Sequence, residues 1–241
     1  MIIDTHCHLD LYPNPNSLIM ELEKQNVFTI GMTNLPSHFK MGFHHTRNFK
    51  KIRLALGMHP LMASSHSEEF PLFFQYLKMT SYIGEIGLDF SKEGIETKDI
   101  QINSFEKILE AVSKEKKILS IHSRNAEKDV LDMLQKFNIQ NAIFHWYSGG
   151  LKLIDEIVDS GYYLSINTAM MKSEKGKKII DRIPKENILT ETDGPFIKHN
   201  YRIVKSTDVK SIIEFLNSRG NLENMEKQIS GNFMRLVNNL K

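Results

Sequence analysis

A single cysteine, Cys7, in a chain of 241 residues excludes an internal disulfide framework. No apolar run approaches the roughly 18–20 residues of a membrane span. A basic stretch followed by an apolar one is missing from the N-terminus. No secretory signal is therefore expected, and the cytoplasm is the expected compartment. Charge of one sign is lacking too. Lys and Arg number 31 against 29 Asp and Glu, a formal net charge of +2. That balance argues neither for nor against nucleic acid, so any phosphate-binding charge is local. There is no linker, low-complexity tract or solenoid repeat. One domain over residues 1–241 is expected.

What the chain does have is a regular alternation. Eight short β-rich apolar runs recur: Ile2–His6, Phe28–Asn34, Arg53–Met58, Tyr82–Leu88, Ile118–Ser123, Ala142–Tyr147, Tyr162–Asn167 and Ile188–Asp193. Helical periodicity fills the gaps. Ile102, Phe105, Ile108, Leu109 and Val112 form one stripe within Ile100–Lys116; Val130, Leu131 and Leu134 form another, and Ile154, Ile157 and Val158 a third. Two helices are expected between Ser206 and Leu240, with Gly220 as a C-cap between them. Strand spacings of roughly 20–35 residues leave room for a crossover helix each time. Eight βα units in one domain predict a (β/α)8 TIM barrel, with a doubly wound open sheet as the alternative.

A barrel builds its site at the C-terminal ends of its strands. His6 and His8 close the first run, Glu85 and Asp89 the fourth, His122 and Arg124 the fifth, His145 the sixth, and Glu191 and Asp193 the eighth. Side chains alternate with period two, so His6 and His8 share a face and Cys7 points away as a small buried residue. Imidazole and carboxylate together suit Zn, Mn, Fe and, with fewer histidines, Mg. A carboxylate such as Glu85 can bridge two ions, and Asp193 can hold an ion or accept a proton from water. Two ions about 3.5–4 Å apart would stabilise attacking and leaving oxygens in phosphoryl transfer.

Plainer readings compete. His-x-His alone is a weak signal, and His38, His44, His45, His66 and His199 read as surface or loop residues. Arg124 suits either a phosphate or a structural ion pair. His59 in "GMHP" suits either a supporting or a substrate-facing place. Tyr147 and Tyr12 can stack on a base or simply pack. By parity Trp146 belongs to the core.

The stretches "DTHCHLD", "GMHP", "GEIGLDF", "IHSR", "HWYSGG" and "TETDGP" occur in the order and spacing of the TatD-type deoxyribonucleases. The resemblance runs to "GNFMRLV", similar to that family's closing Asn-x-x-Arg-Leu helix, here Asn232 and Arg235. "TNLPSHF", "FHWYSG" and "TETDGPF" resemble most the QatD group, the TatD-like nucleases of the bacterial Qat anti-phage system. The resemblance implies an amidohydrolase-like barrel. It implies that His6, His8, Glu85, His122, His145 and Asp193 ligate two divalent ions, Glu85 bridging, with Mg²⁺ the usual working metal and Zn²⁺ or Mn²⁺ able to replace it. Asp193 would also orient or deprotonate the attacking water, and Arg124 and His59 would touch phosphate. The implied substrate is DNA, cut 3′→5′ on single strands, with other Qat proteins as partners. Two features depart from the family. "FIKHNYRIVKSTDVK" is short and lacks an Arg-Asn-Glu-Pro motif, which bears on substrate grip and processivity. Gly194 replaces the common alanine, a change expected to be minor. An amidohydrolase acting on small molecules, or a mainly structural defence subunit, are the alternatives; the absence of a lysine on the fourth strand favours the nuclease.

Overall fold

The structure, a computed structural model, describes residues 1–199, 201–219 and 224–240. Eight parallel strands form its centre: β1 Ile2–Cys7, β2 Val27–Gly31, β3 Ile52–Leu54, β4 Tyr82–Gly87, β5 Ile118–His122, β6 Ala142–Phe144, β7 Tyr163–Ile166 and β8 Ile188–Thr190. Ladders join β1-β2-β3 and β4 through β8 in sequence order. The two seams close through a few hydrogen bonds each. Leu56 bridges Ile83, with Leu56 N donating to Tyr82 O at 3.0 Å and Gly84 N to Leu56 O at 2.9 Å. Between β8 and β1, Asp193 N donates to His6 O at 2.9 Å and His8 N to Gly194 O at 2.8 Å. Deeper in that seam the Thr190 hydroxyl donates to Ile3 O at 2.6 Å, and Thr192 N donates to the buried Asp4 carboxylate at 3.0 Å. The strands therefore close into a (β/α)8 barrel, and the open sheet is excluded.

Helices wrap the barrel because each has one apolar face. They are α1 Pro15–Lys24, α2 Pro36–Thr46, α3 His66–Tyr76, α4 Lys98–Val112, α5 Glu127–Lys136, α6 Leu151–Asp159, α7 Thr168–Lys172, α8 Glu174–Arg182, α9 Val209–Ser218 and α10 Met225–Asn238. Most of the expected stripe residues are buried: Phe105, Ile108, Leu109 and Val112 on α4, Val130, Leu131 and Leu134 on α5, and Ile154 and Ile157 on α6, with Ile102 and Val158 partly buried. Burying each such side chain contributes roughly 1.5–3 kcal/mol. The closing helix α10 is tied to the foot of β8. Asn232 Nδ2 donates to Lys185 O and Ile188 O, both at 2.7 Å, and Arg235 donates to Glu186 O at 2.8 Å. The predicted C-cap Gly220 lies outside the described residues. Among the described residues no helix is long and apolar enough to cross a membrane.

Strand ends differ from the sequence reading. The run expected to reach Tyr147 ends as β6 at Phe144, because Trp146 has φ +37 and breaks the pleat. The segment after β8 adds a small antiparallel pair, β9 Lys198–His199 with β10 Arg202–Ile203, before α9.

Candidate metal centre

At the C-terminal mouth, side chains from five strands converge on Glu85. His6 on β1 and His8 just past its end point to one side, and the intervening Cys7 is buried with Leu9, Tyr12, Leu18 and Leu22 beneath α1. His6 Nε2 and His8 Nε2 lie 3.2 Å apart. Glu85 Oε2 is 3.4 Å from the first and 3.2 Å from the second, while Asp193 Oδ1 is 3.7 and 3.8 Å away. The other Glu85 oxygen, Oε1, faces His122 Nδ1 at 2.6 Å and His145 Nε2 at 3.3 Å. His59, half-buried on the loop after β3, brings Nε2 to 3.3 Å from Oε2. Three groups of possible ligand atoms result: His6 with His8 and Asp193; His6 with Glu85 and His145; His59 with Glu85 and His122.

The chemistry of this donor set fits divalent cations. His6 Nδ1 lies 2.8 Å from the Ser120 hydroxyl, and His145 Nδ1 lies 3.3 Å from Glu191. A proton on each Nδ1 satisfies those bonds, and at His6 it leaves the Nε2 lone pair aimed inward. Burial lowers His145, but Glu191 and Glu85 outweigh it and hold that imidazole well above its usual range, so its Nε2 would offer a lone pair once a cation takes the place of the proton. Lone pairs of imidazole and carboxylate then crowd together in a buried space, an arrangement that a cation relieves. Burial, helped by neighbouring His145, pushes His6 down to about 3, so it is a neutral imidazole. Burial raises Glu85, but His59, His145 and His6 outweigh it and hold the carboxyl well below its usual range. Burial pushes Asp193 up to about 7 against the pull of His145 and His8.

Two carboxylates support the histidines from outside. Asp89 Oδ2 is 2.8 Å from His122 Nε2. Glu191, fully buried, accepts from Trp146 N at 3.0 Å and Asn167 Nδ2 at 2.8 Å, from the Ser165 hydroxyl, and from His145 Nδ1. The sequence places both carboxylates at strand ends; that they grip histidines from behind is visible only in three dimensions.

A cavity of about 640 Å³ opens over the cluster, within the roughly 300–1,000 Å³ of ligand clefts. His59, Glu85, Asp89, His122, Arg124, His145 and Asp193 line it, with Leu61, Met62, Trp146 and Phe196. Arg124 stands at the exposed rim, 3.7 Å from Glu93. Four expectations are corrected. Tyr147 is buried, its ring against Phe144 and its hydroxyl donating to Gly150 O at 2.8 Å, so it cannot stack on a base. Trp146 takes the exposed place instead, because the positive φ swaps the parity. His66 is not a surface residue: it is buried, with Nε2 3.0 Å from His59 O. Gly194 is not interchangeable with alanine, since an added Cβ would sit 1.9 Å from the Tyr12 hydroxyl and 2.7 Å from Val204 O.

The family model described as TatD related DNase matches residues 3–238. The chain belongs to this TatD family. An uncharacterized metal-dependent hydrolase of Methanocaldococcus jannaschii is 27% identical over 203 residues, covering 81% of this chain and 79% of that protein. A putative deoxyribonuclease of Danio rerio is 29% identical over 212 residues, covering 80% and 79%. The crystal structure of a TatD homologue from Escherichia coli superposes with a TM-score of 0.86 at 21% identity, covering 99% and 97% of the two chains, a likeness of fold. The protein is thus a TatD-type metal-dependent hydrolase, with buried His/Asp/Glu clusters able to bind metal ions.

Proposed function

We propose that this TatD-family hydrolase removes nucleotides from the 3′ end of single-stranded DNA, with His6, His8, Glu85, His122, His145 and Asp193 holding two divalent ions, Mg²⁺ in function. The observation that carries the reading is the division of labour at Glu85. Its Oε2 faces His6 and His8 while its Oε1 faces His122 and His145. One carboxylate between two imidazole groups suits a bridging ligand. Bound ions would supply Lewis-acid activation of water and neutralise charge on the phosphoryl oxygens. Asp193, beside His6 and His8, would accept the proton of the attacking water. Arg124 and His59 line the same cavity and would orient a phosphate. A role in bacterial anti-phage defence beside other Qat proteins is supported by the resemblance of "TNLPSHF", "FHWYSG" and "TETDGPF" to that group.

The test is the double variant His122→Ala/Asp193→Asn, assayed with 3′-labelled and 5′-labelled single strands in Mg²⁺. Loss of digestion by the variant, with mononucleotides released from the 3′ end by the parent, is expected. Equal digestion by both proteins overturns the ligand assignment. Turnover of small cyclic amides in preference to oligonucleotides overturns the nuclease reading.

A further inference from the structure

Two exposed aromatic rings flank the cluster, and neither holds an ion or a phosphate. Trp146 is 37% exposed and Phe196 59% exposed. Each stands edge-on to a histidine: Trp146 to His145 at 6.4 Å between centroids and 76°, Phe196 to His8 at 5.0 Å and 82°. Both line the cavity above the cluster, as do Leu61 and Met62, 42% and 37% exposed. An apolar patch concentrated at a cleft marks a binding surface. Trp146 lies outside the buried core. Its amide is bonded to Glu191, and its φ of +37 turns the ring out of the sheet alternation that sends Tyr147 inward. The cavity does not suit a backbone-tracking groove. Arg124 is the one Lys or Arg among the described residues lining it.

We propose that Trp146 and Phe196 are stacking platforms for unpaired nucleobases, one on each side of the phosphate presented to the cluster. The proposal rests on the nuclease reading and deepens it by naming what selects a single strand. A base offers its free π-face only when released from a duplex stack, so such platforms admit unpaired ends and tolerate any sequence. Stacking contributes roughly 1–3 kcal/mol per base by alanine substitution. That corresponds to about a 5- to 150-fold change in affinity.

Trp146 is the only tryptophan of the chain, so intrinsic fluorescence reports on the platform itself. Metal-loaded protein is mixed in a stopped-flow instrument with a short oligothymidylate, with the same strand in a blunt duplex, and with a strand of abasic terminal residues. The single strand should quench the emission before cleavage; the duplex and the abasic strand should not. Phe196→Ala and Trp146→Ala should each raise KM for the single strand about 5- to 150-fold, and Phe196→Tyr should restore it. Both rings are exposed, and unchanged thermal unfolding will show that the variants fold. Cleavage of the oligothymidylate with no quench and no change in KM overturns the stacking role while the nuclease reading stands. Equal binding of the abasic strand overturns it likewise. Failure to bind or cleave any strand overturns both.

Discussion

Replacing Glu191 with glutamine preserves volume while removing one acceptor oxygen from a buried carboxylate that serves four donors. Oε1 accepts from Trp146 N at 3.0 Å and Asn167 Nδ2 at 2.8 Å. Oε2 accepts from the Ser165 hydroxyl and His145 Nδ1. Whichever way the new amide lies, its NH2 faces donors. At the Oε1 side both donors would be stranded, because Asn167 cannot flip: its own oxygen accepts from Ala169 N and Met170 N, both at 3.0 Å. At the Oε2 side the Ser165 hydroxyl can rotate to accept, and only His145 Nδ1 is opposed. The second arrangement therefore wins.

His145 can then escape the clash by moving its proton to Nε2, so that Nδ1 accepts from the glutamine. The escape puts an N–H where the lone pair faced Glu85, and the imidazole is lost as a ligand. Burial raises the Glu191 carboxyl, but His145 and Ser165 outweigh it and keep it ionised, so charge-assisted bonds are being exchanged for neutral ones. Each exchange costs about 1 kcal/mol, partly offset because a charge no longer has to be buried. The fold should lose about 1–3 kcal/mol, and divalent affinity should fall about 10- to 100-fold. Urea unfolding in chelator measures the first, Mn²⁺ titration calorimetry the second, and ¹⁵N chemical shifts of the imidazoles report the tautomer. A variant that loses stability yet binds Mn²⁺ within twofold of the parent, with His145 still protonated on Nδ1, would refute the reasoning.

Gly194→Ala should destabilise the barrel seam by about 1–3 kcal/mol, since the new methyl meets the Tyr12 hydroxyl and Val204 O. Tyr12→Phe in the same chain should recover part of that loss in urea unfolding; no loss in the single variant would show that the seam is softer than its contacts imply. Burial raises the Cys7 thiol far above its ordinary value, so the folded chain keeps its proton where the unfolded chain ionises. Its contribution to stability is whole below a pH of about 8.5 and falls by about 1.4 kcal/mol per pH unit above that, a slope that Cys7→Ala should flatten. Between pH 8.5 and 10, a thiol that alkylates as fast in native protein as in urea would contradict this burial.

The sequence was most informative where the chain is a regular strand and least where a strand ends. Period-two alternation separates His6 and His8 from Cys7, and the separation survives although β1 slips its register against β2 between Asp4 and Cys7 and ends at Cys7. The same rule fails two residues past β6. There the positive φ at Trp146 exchanges the places of Trp146 and Tyr147, the expected core residue becoming cavity wall and a candidate base contact becoming core. Gly194 and Tyr12 are 182 positions apart, and no local pattern announces that one leaves room for the other. Glu191 is legible as a strand-end carboxylate. Its hold on His145 depends on Ser165 and Asn167, at and just past the end of β7, which meet it only once β6, β7 and β8 lie side by side. A barrel therefore shows its ligands by their gathering at the strand ends, while the residues that orient ligands and select substrate are fixed by contacts between neighbouring strands and by the turns beyond them. Substrate preference within this fold should accordingly vary with residues such as Trp146 and Phe196, one residue past His145 and three past Asp193, while the histidine and carboxylate cluster at the strand ends stays fixed.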